Sequence, residues 1–450
     1  MSQTASENVS YKDYPRGFRA RRGLNWGFVG LLYTSFYLCR YNLSIANKAI
    51  SDQYDFSRAD MGKIITTFFF VYACGQIVNG FLTDRLGGKK AMLIGAAGTV
   101  TMNLLFGGAS FWGLLWLFIA IRGIDGYLQS FGAPGMVKIN TAWFNHRERG
   151  KFAGIFGFMI NLGRFGITKF GPALLAGFTI VGLIHIGPLH WRWLFWAPSI
   201  VCAVVAVGMA IFVKQTPEEA GYHGVIQDET AYANLEERPK MSYVIRLILS
   251  NPAIWFVASA YACTGAVRQA VDQWFPRYMQ DVHHMALDSA AFQWLGFLIP
   301  IVASVGSLMS GYISDTFCKG RRAPVAAALF FTETTIILLA AQFHTATAAI
   351  IFFLLISFTA NSTHSILGTA AVMDIGGRRL VGAAFGIIDA CQYFGASLAG
   401  YFLGLLLDKS WEYYFYFMAP FGLIGGVLML MSLQKITKPQ KGLPQKPASV

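Results

Sequence analysis

Twelve apolar segments, each about as long as a membrane is thick, constrain this chain more than any other feature. An α-helix rises about 1.5 Å per residue, so about 20 apolar residues cross a hydrocarbon core of about 30 Å. Each segment therefore predicts a transmembrane helix. The segments are 25–46, 61–83, 91–110, 112–138, 152–178, 193–213, 251–275, 290–314, 324–342, 346–373, 382–407 and 412–433. Ser57 and Asp60 predict a capping box that opens the second helix.

The composition also indicates a membrane protein. Hydrophobic residues make up 55% of the 450 residues and charged residues only 13%, whereas soluble domains carry about 25% charged residues. The first 24 residues are polar and basic and lead directly into the first segment, so no cleavable signal peptide is expected. We therefore predict an all-α membrane protein of twelve transmembrane helices.

The net charge of +13 is distributed in a way that predicts orientation. Of the 36 Lys and Arg residues, 24 lie in the two tails and the even-numbered loops, and five lie in the odd-numbered loops. Because Lys and Arg are retained on the cytoplasmic side, both termini are predicted to be cytoplasmic, in a multi-pass protein of the inner cell membrane. The basic charge then reports topology, so the expected surroundings are a lipid bilayer and no nucleic acid.

The two halves of the chain repeat each other. The stretch Gly-Phe-Leu-Thr-Asp at 80–84 is matched by Gly-Tyr-Ile-Ser-Asp at 311–315, 231 residues later. Arg40 and Arg268, in the first and seventh segments, are 228 residues apart. Parallel repeats of six spans predict a substrate site at the membrane midplane, between the halves. The predicted organisation is a tail at 1–24, a six-helix half at 25–213, a cytoplasmic linker at 214–250, a second half at 251–433 and a tail at 434–450.

The two arginines lie deep in predicted spans, where ionisable side chains are costly and mark functional sites. Tyr33 and Tyr37 precede Arg40 by seven and three residues, so the three side chains share one helical face. Arginine matches phosphate and carboxylate oxygens bidentately, and two arginines would roughly neutralise a phosphate monoester's charge of about −1.5 to −2. We predict that Arg40 and Arg268 form a dicationic site. The alternative for Arg268 is a structural pair with Asp272, four residues later.

The loop Gly80-x-x-x-Asp84-Arg85-x-Gly-x-Lys-Lys resembles the signature loop of the major facilitator superfamily. The resemblance implies two pseudo-symmetric six-helix bundles and a loop that latches the cytoplasmic side in one conformation. Gly80 would permit close helix packing and Asp84 would lie at a helix N-terminus; the alternative is a loop that only sets topology. Arg122 resembles the arginine of the fourth-span motif, with Asp125 as its local partner. The predicted motif residues are Gly80, Asp84, Arg85, Arg122, Asp125 and Asp315.

The surroundings of the two arginines resemble the organophosphate:phosphate antiporters, a group of glycerol-phosphate, hexose-phosphate and phosphoglycerate transporters. The similarity covers about 25–430 and is most specific in Tyr-Leu-Cys-Arg40-Tyr-Asn and Val-Arg268. It implies that Arg40 and Arg268 bind the phosphoryl group and that Tyr72 and Asn161 belong to the site. The substrate-binding residues are then predicted to be Arg40, Arg268, Tyr37, Tyr33, Tyr72, Asn161, Arg164 and Asp272.

Departures from the glycerol-phosphate branch leave the organic part of the substrate open. Gln76 replaces a lysine of that branch, and Ile160 replaces a substrate-side histidine. Arg164 is an added cation, which is either a third anion ligand or the neutralising partner of Asp389.

The predicted function is exchange of a phosphorylated organic anion for inorganic phosphate by alternating access. The alternatives are a proton- or sodium-coupled organic-anion symporter, with Asp125, Glu333 and Asp389 as candidate carboxylates, and a transporter-like sugar-phosphate sensor. The sequence has neither a phosphate-binding loop for ATP hydrolysis nor a catalytic constellation, and its six cysteines have no metal-binding spacing. We therefore expect no enzyme activity, cofactor or metal, and a monomer.

Overall fold

The computed structural model describes residues 14–144, 149–180, 184–226, 250, 252–318, 321–370 and 386–436. Residues 227–249 of the predicted linker, and 1–13 and 437–450 of the predicted tails, lie outside them. The helices are α1 (Phe18–Tyr54), α2 (Arg58–Leu86), α3 (Gly88–Gly108), α4 (Leu115–Gln129), α5 (Gly132–Trp143), α6 (Arg149–Ala176), α7 (Trp193–Phe212), α8 (Pro252–His283), α9 (Ala290–Phe317), α10 (Arg322–Ala340), α11 (Ala346–Ser365), α12 (386–398), α13 (Tyr401–Lys409) and α14 (Tyr413–Ile436).

Every predicted apolar segment coincides with one or two of these helices, which confirms the all-α class. Within the described residues, eight helical stretches are long and apolar enough to cross a membrane. They are Arg58–Leu86, Gly88–Phe111, Trp193–Phe212, Ala290–Phe317, Arg322–Ala340, Ala346–Gly368, Gly386–Lys409 and Tyr413–Leu433. The helices α1, α6 and α8 are not among the eight, and these three carry Arg40, Arg164 and Arg268.

The fourth predicted span is two helices and not one, which corrects the sequence-based boundary. Helix α4 ends at Gln129 and α5 begins at Gly132. Pro134 lacks an N–H, and its ring clashes with the carbonyl four residues earlier, at Ser130. The break at Ser130 and Phe131 therefore follows from the proline.

Two compact units make up the fold. One contains the chain up to Phe56, Thr67–Pro239 and Ala286–Pro300, and the other contains Ser57–Thr66, Lys240–Met285 and the chain from Ile301 onward. The first turns of α2 and of α9 thus belong to a different unit from the rest of their helices. The repeat spacing of 231 residues carries Ser57–Thr66 onto 288–297, so the two displaced segments are equivalent in the repeat.

In the second unit, polar contacts hold the first turn of α2. The predicted capping box is confirmed, since Ser57 Oγ accepts from the Asp60 N–H at 3.0 Å and Asp60 Oδ2 accepts from the Ser57 N–H at 3.2 Å. The Asp408 carboxylate accepts from the backbone N–H groups of Arg58 and Ala59 at 2.7 and 3.0 Å. Such a carboxylate satisfies donors that a helix leaves unpaired at its start.

A short hairpin connects α6 to α7. Strand β1 (Phe178–Ile180) pairs antiparallel with β2 (Ile184–Ile186), with Thr179 opposite His185. This hairpin is absent from the sequence-based prediction, because three-residue strands are too short to give a period-two pattern.

Candidate functional site

Arg40 lies in the interior of the first unit with 1% of its surface exposed. The guanidinium carbon is 4.6 Å from the ring centre of Tyr37 on α1 and 4.5 Å from that of Tyr72 on α2. Its Nε donates to Gln129 Oε1 on α4 at 3.1 Å. Contacts from three helices thus fix the plane of the guanidinium, and the predicted shared face of Tyr37 and Arg40 is confirmed.

A row of tyrosines extends this surface along α1. Ring centres of Tyr33 and Tyr37 are 5.4 Å apart, and those of Tyr37 and Tyr41 are 5.8 Å apart. The Tyr72 hydroxyl accepts from Gln76 Nε2 at 3.3 Å. The residue that replaces the expected lysine is therefore a neutral hydrogen-bond partner of a predicted site residue.

Arg122 and Asp125 form a buried ion pair beside Arg40, with Nη1 and Oδ2 2.9 Å apart. Asp125 was predicted as the local partner of Arg122, and this is confirmed. Arg122 also donates to the backbone carbonyls of Cys39 at 3.2 Å and Arg40 at 2.6 Å. The pair therefore holds the backbone of α1 at the position that carries the predicted anion ligand.

A glycine brings α6 against α1 and sets the position of Arg164. A Cβ added at Gly163 would lie 2.4 Å from the Thr34 carbonyl oxygen and 2.6 Å from Tyr37 Cβ, so the helices approach backbone to backbone. Buried Arg164 donates to Asn161 Oδ1 at 3.3 Å, and its guanidinium carbon is 5.7 Å from the Tyr41 ring centre. Predicted site residues of α1, α2 and α6 thus belong to one cluster of polar and aromatic side chains in the first unit.

Arg268 has a buried guanidinium in the second unit, with 3% of its surface exposed. Its Nε is 3.9 Å from Asp272 Oδ2, at the outer limit of an ion pair. Its Nη1 is 3.5 Å from His364 Nε2 on α11, and His364 Nδ1 is 2.8 Å from the Tyr261 hydroxyl. Because arginine only donates, His364 Nε2 is on the accepting side of this contact, while His364 Nδ1 faces the Tyr261 hydroxyl.

His364, Tyr261 and Gln129 are the partners that sequence reasoning did not connect to the site. Gln129 and His364 lie on different helices from the arginines that they accompany, and Gln129 is 89 residues from Arg40. Tyr261 lies on α8 with Arg268 and contacts it only through His364. A polar residue in an apolar helix is the available signal, but it does not identify the partner.

Asp84 near the end of α2 and its repeat equivalent Asp315 near the end of α9 each form an exposed ion pair. Lys138 Nζ is 2.7 Å from Asp84 Oδ1, and Arg322 Nη2 is 3.0 Å from Asp315 Oδ1. Among the described residues Asp84 pairs with a lysine side chain of α5, and its expected position at a helix N-terminus stays a prediction. The packing role predicted for Gly80 is wrong, because a Cβ there would meet no described atom within 4 Å. No contact of Arg85 with a described residue bears on its predicted role, which stays a prediction.

Other features of the described residues bear on the remaining sequence-based predictions. Glu333 on α10 is fully buried, and neither carboxylate oxygen has a hydrogen-bond partner in the described part of the chain. Asp389 is buried on α12 of the second unit and Arg164 is buried in the first, and both predicted roles of Arg164 stay predictions. A cavity of about 1060 Å³ in the first unit has a largely apolar lining that includes Phe165 and Trp294, which does not suit a phosphate. Among the described residues, no cluster of three metal-ligating side chains occurs.

The sequence also matches a family of known proteins. The sequence model of the Major Facilitator Superfamily matches residues 29–400 and 286–449. The chain belongs to the major facilitator superfamily. It is therefore a multi-pass membrane protein of a transporter family and not an enzyme, as predicted.

Curated relatives confirm the narrower resemblance to the organophosphate:phosphate antiporter family. The probable hexose phosphate transport protein of Chlamydia trachomatis is 26% identical over 422 residues, which cover 90% of this chain and 88% of the relative. Membrane sensor protein UhpC of Escherichia coli is 25% identical over 424 residues, with 91% of each chain covered. Further relatives are named as a glycerol-3-phosphate transporter, a phosphoglycerate transporter protein and a hexose-6-phosphate:phosphate antiporter.

A solved structure supports the fold alone. A bacterial homolog of the human lysosomal transporter Spinster, in an inward-facing and unoccupied conformation, aligns with a TM-score of 0.72 at 14% identity. The alignment covers 94% of this transporter and 99% of the Spinster homolog. The predicted major facilitator fold is confirmed.

Proposed function

We propose that this transporter exchanges a phosphorylated organic anion for inorganic phosphate by alternating access. The observation that carries the proposal is that two buried guanidiniums, those of Arg40 and Arg268, lie in different halves at nearly equivalent positions of the sequence repeat. Arginine is suited to phosphoryl oxygens because its planar fork donates two parallel hydrogen bonds. Relatives named for hexose phosphate, glycerol-3-phosphate and phosphoglycerate support a phosphate ester as substrate.

The predicted substrate residues take distinct roles in this proposal. Arg40 and Arg268 bind the phosphoryl group, while the hydroxyls of Tyr33, Tyr37 and Tyr72 hydrogen-bond the substrate near it. The other proposed contacts come from Asn161 and Arg164, and Asp272 orients Arg268. The substrate's organic part is a sugar, glycerol or glycerate.

Obligatory exchange follows from electrostatics. An empty site would bury two like charges in a medium of low dielectric constant, where their repulsion is strong. A bound phosphate dianion cancels that repulsion, so reorientation is faster when the carrier is loaded. The carrier would then return only with a second phosphate or phosphate ester, which is antiport.

Reconstituted protein provides the test. Proteoliposomes loaded with inorganic phosphate should take up labelled phosphate from outside. External hexose phosphate, glycerol phosphate or phosphoglycerate should then exchange with the labelled phosphate inside and release it. Competition among these esters identifies the organic part of the substrate. Arg40→Lys and Arg268→Lys should each abolish exchange, since lysine keeps the charge and loses the bidentate fork. Arg192→Lys, which changes an arginine in the loop before α7, is the matched control and should exchange normally. Full exchange by both site variants would refute the proposal.

A sensor is the second candidate, because membrane sensor protein UhpC is as similar as the named transporters. A sensor would bind phosphate esters in a thermal-shift assay and show no flux in proteoliposomes.

Buried Glu333 favours a third candidate, a proton-coupled symporter. Uptake that collapses with the proton gradient and needs no internal phosphate would support the symporter.

A further inference from the structure

Gln129 is the last residue of α4, and its hydrogen bonds connect Arg40 to the Arg122–Asp125 ion pair. Arg40 Nε donates to Gln129 Oε1 at 3.1 Å, and Gln129 Nε2 donates to Asp125 Oδ1 at 3.1 Å. Arginine only donates and an ionised carboxylate only accepts. An amide can serve both at once, with its oxygen on the arginine and its nitrogen on the acid.

Asp125 is engaged by other donors as well. Arg122 Nη1 is 2.9 Å from its Oδ2, and Asn103 Nδ2 donates to the same oxygen at 3.2 Å. All of these groups are buried. Asp125, the acid among these described groups, is therefore bound by Arg122, and the group that α4 presents to Arg40 is an uncharged amide.

The amide orients Arg40 without neutralising it. The rings of Tyr37 and Tyr72 and the Gln129 hydrogen bond fix the guanidinium from α1, α2 and α4. With Nε engaged by Gln129, a phosphoryl group would bind through the two Nη groups. A carboxylate in place of the amide would form a charge-assisted hydrogen bond with Arg40 and would compete with an incoming anion.

We propose that Gln129 is a positioning residue for Arg40, and that an uncharged acceptor at this position is required for anion binding. This inference rests on the proposed role of Arg40 in binding phosphate. It extends that role to a residue on another helix and assigns the requirement to charge. Glutamate has nearly the shape of glutamine but lacks the Nε2 donor to Asp125, and Gln129→Met, which lacks the same donor without adding charge, separates the two effects.

The experiment compares Gln129→Glu and Gln129→Met with the unmodified protein, using inorganic phosphate as the probe. In phosphate:phosphate exchange, Gln129→Met should raise KM about tenfold, because a hydrogen bond to a charged group is lost, while kcat changes little. Gln129→Glu should abolish exchange and the thermal shift that phosphate produces. Gln342→Glu, which adds the same charge at an exposed position after α10, should retain the normal KM.

Folding and binding are separated by the readouts. Unfolding temperature without phosphate reports folding, and a merely structural role would lower it and leave the KM of the folded fraction unchanged. Should Gln129→Glu bind phosphate with normal KM, the positioning proposal is wrong although the proposed function stands. If the unmodified protein neither binds nor exchanges phosphate, the proposed function fails first.

Discussion

At the scale of single residues, burial decides what each charge can do. Arg122 and Asp125 are three residues apart on α4 and both are buried, whereas Lys48 and Asp52 form an exposed pair with 3.5 Å between charged atoms. An exposed pair contributes little because water and salt screen it. Removing one partner of a buried pair instead leaves an uncompensated charge in a low-dielectric interior.

Asp125→Ala should therefore destabilise the transporter by about 3–5 kcal/mol, because Arg122 remains buried without its acid. The measurement is the thermal unfolding of purified protein in detergent. Asp52→Ala is the matched control and should cost less than about 1 kcal/mol. Equal unfolding temperatures for the two variants would show that the buried pair does not stabilise the fold.

At the scale of helices, close packing depends on which glycine faces a neighbour. A Cβ at Gly265 on α8 would lie 1.9 Å from the Gln392 carbonyl oxygen, and one at Gly395 on α12 would lie 1.9 Å from that of Ala262. These two glycines let α8 and α12 pack backbone to backbone, as small residues do between membrane helices. The sequence-based choice of Gly80 for this role was wrong.

Gly265→Ala should lower the unfolding temperature strongly and reduce the yield of folded protein. The added methyl group overlaps a backbone carbonyl, which cannot move without shifting a helix. Gly27→Ala on α1 is the control, since its Cβ would meet no described atom within 4 Å. That control should be neutral or slightly stabilising, because alanine favours helix by about 1 kcal/mol. Unchanged stability of Gly265→Ala would contradict the close approach of α8 and α12.

At the scale of the whole molecule, the charge asymmetry predicts that both termini and the even-numbered loops are cytoplasmic. Cys318 directly follows α9 in one of these loops, and His185 lies in the hairpin of an odd-numbered loop. In a variant with Cys318 as its sole cysteine, a membrane-impermeant maleimide should label the protein only after the cells are permeabilised. A sole cysteine introduced by His185→Cys should be labelled in intact cells. The reverse labelling pattern would show that the orientation in the membrane is opposite to the predicted one.

The sequence by itself determined the helical membrane fold, the repeat and the identity of the buried arginines. Apolar length and charge counts require no partner, and the helical period places Tyr37 beside Arg40 on the same helix. Only the tertiary structure decided that Gln129 contacts Arg40 and His364 contacts Arg268, that Asp84 pairs with Lys138, and which glycines allow helices to pack closely. These contacts join residues far apart in the chain, and they depend on how each helix is rotated and positioned against its neighbours, which helical periodicity alone does not specify.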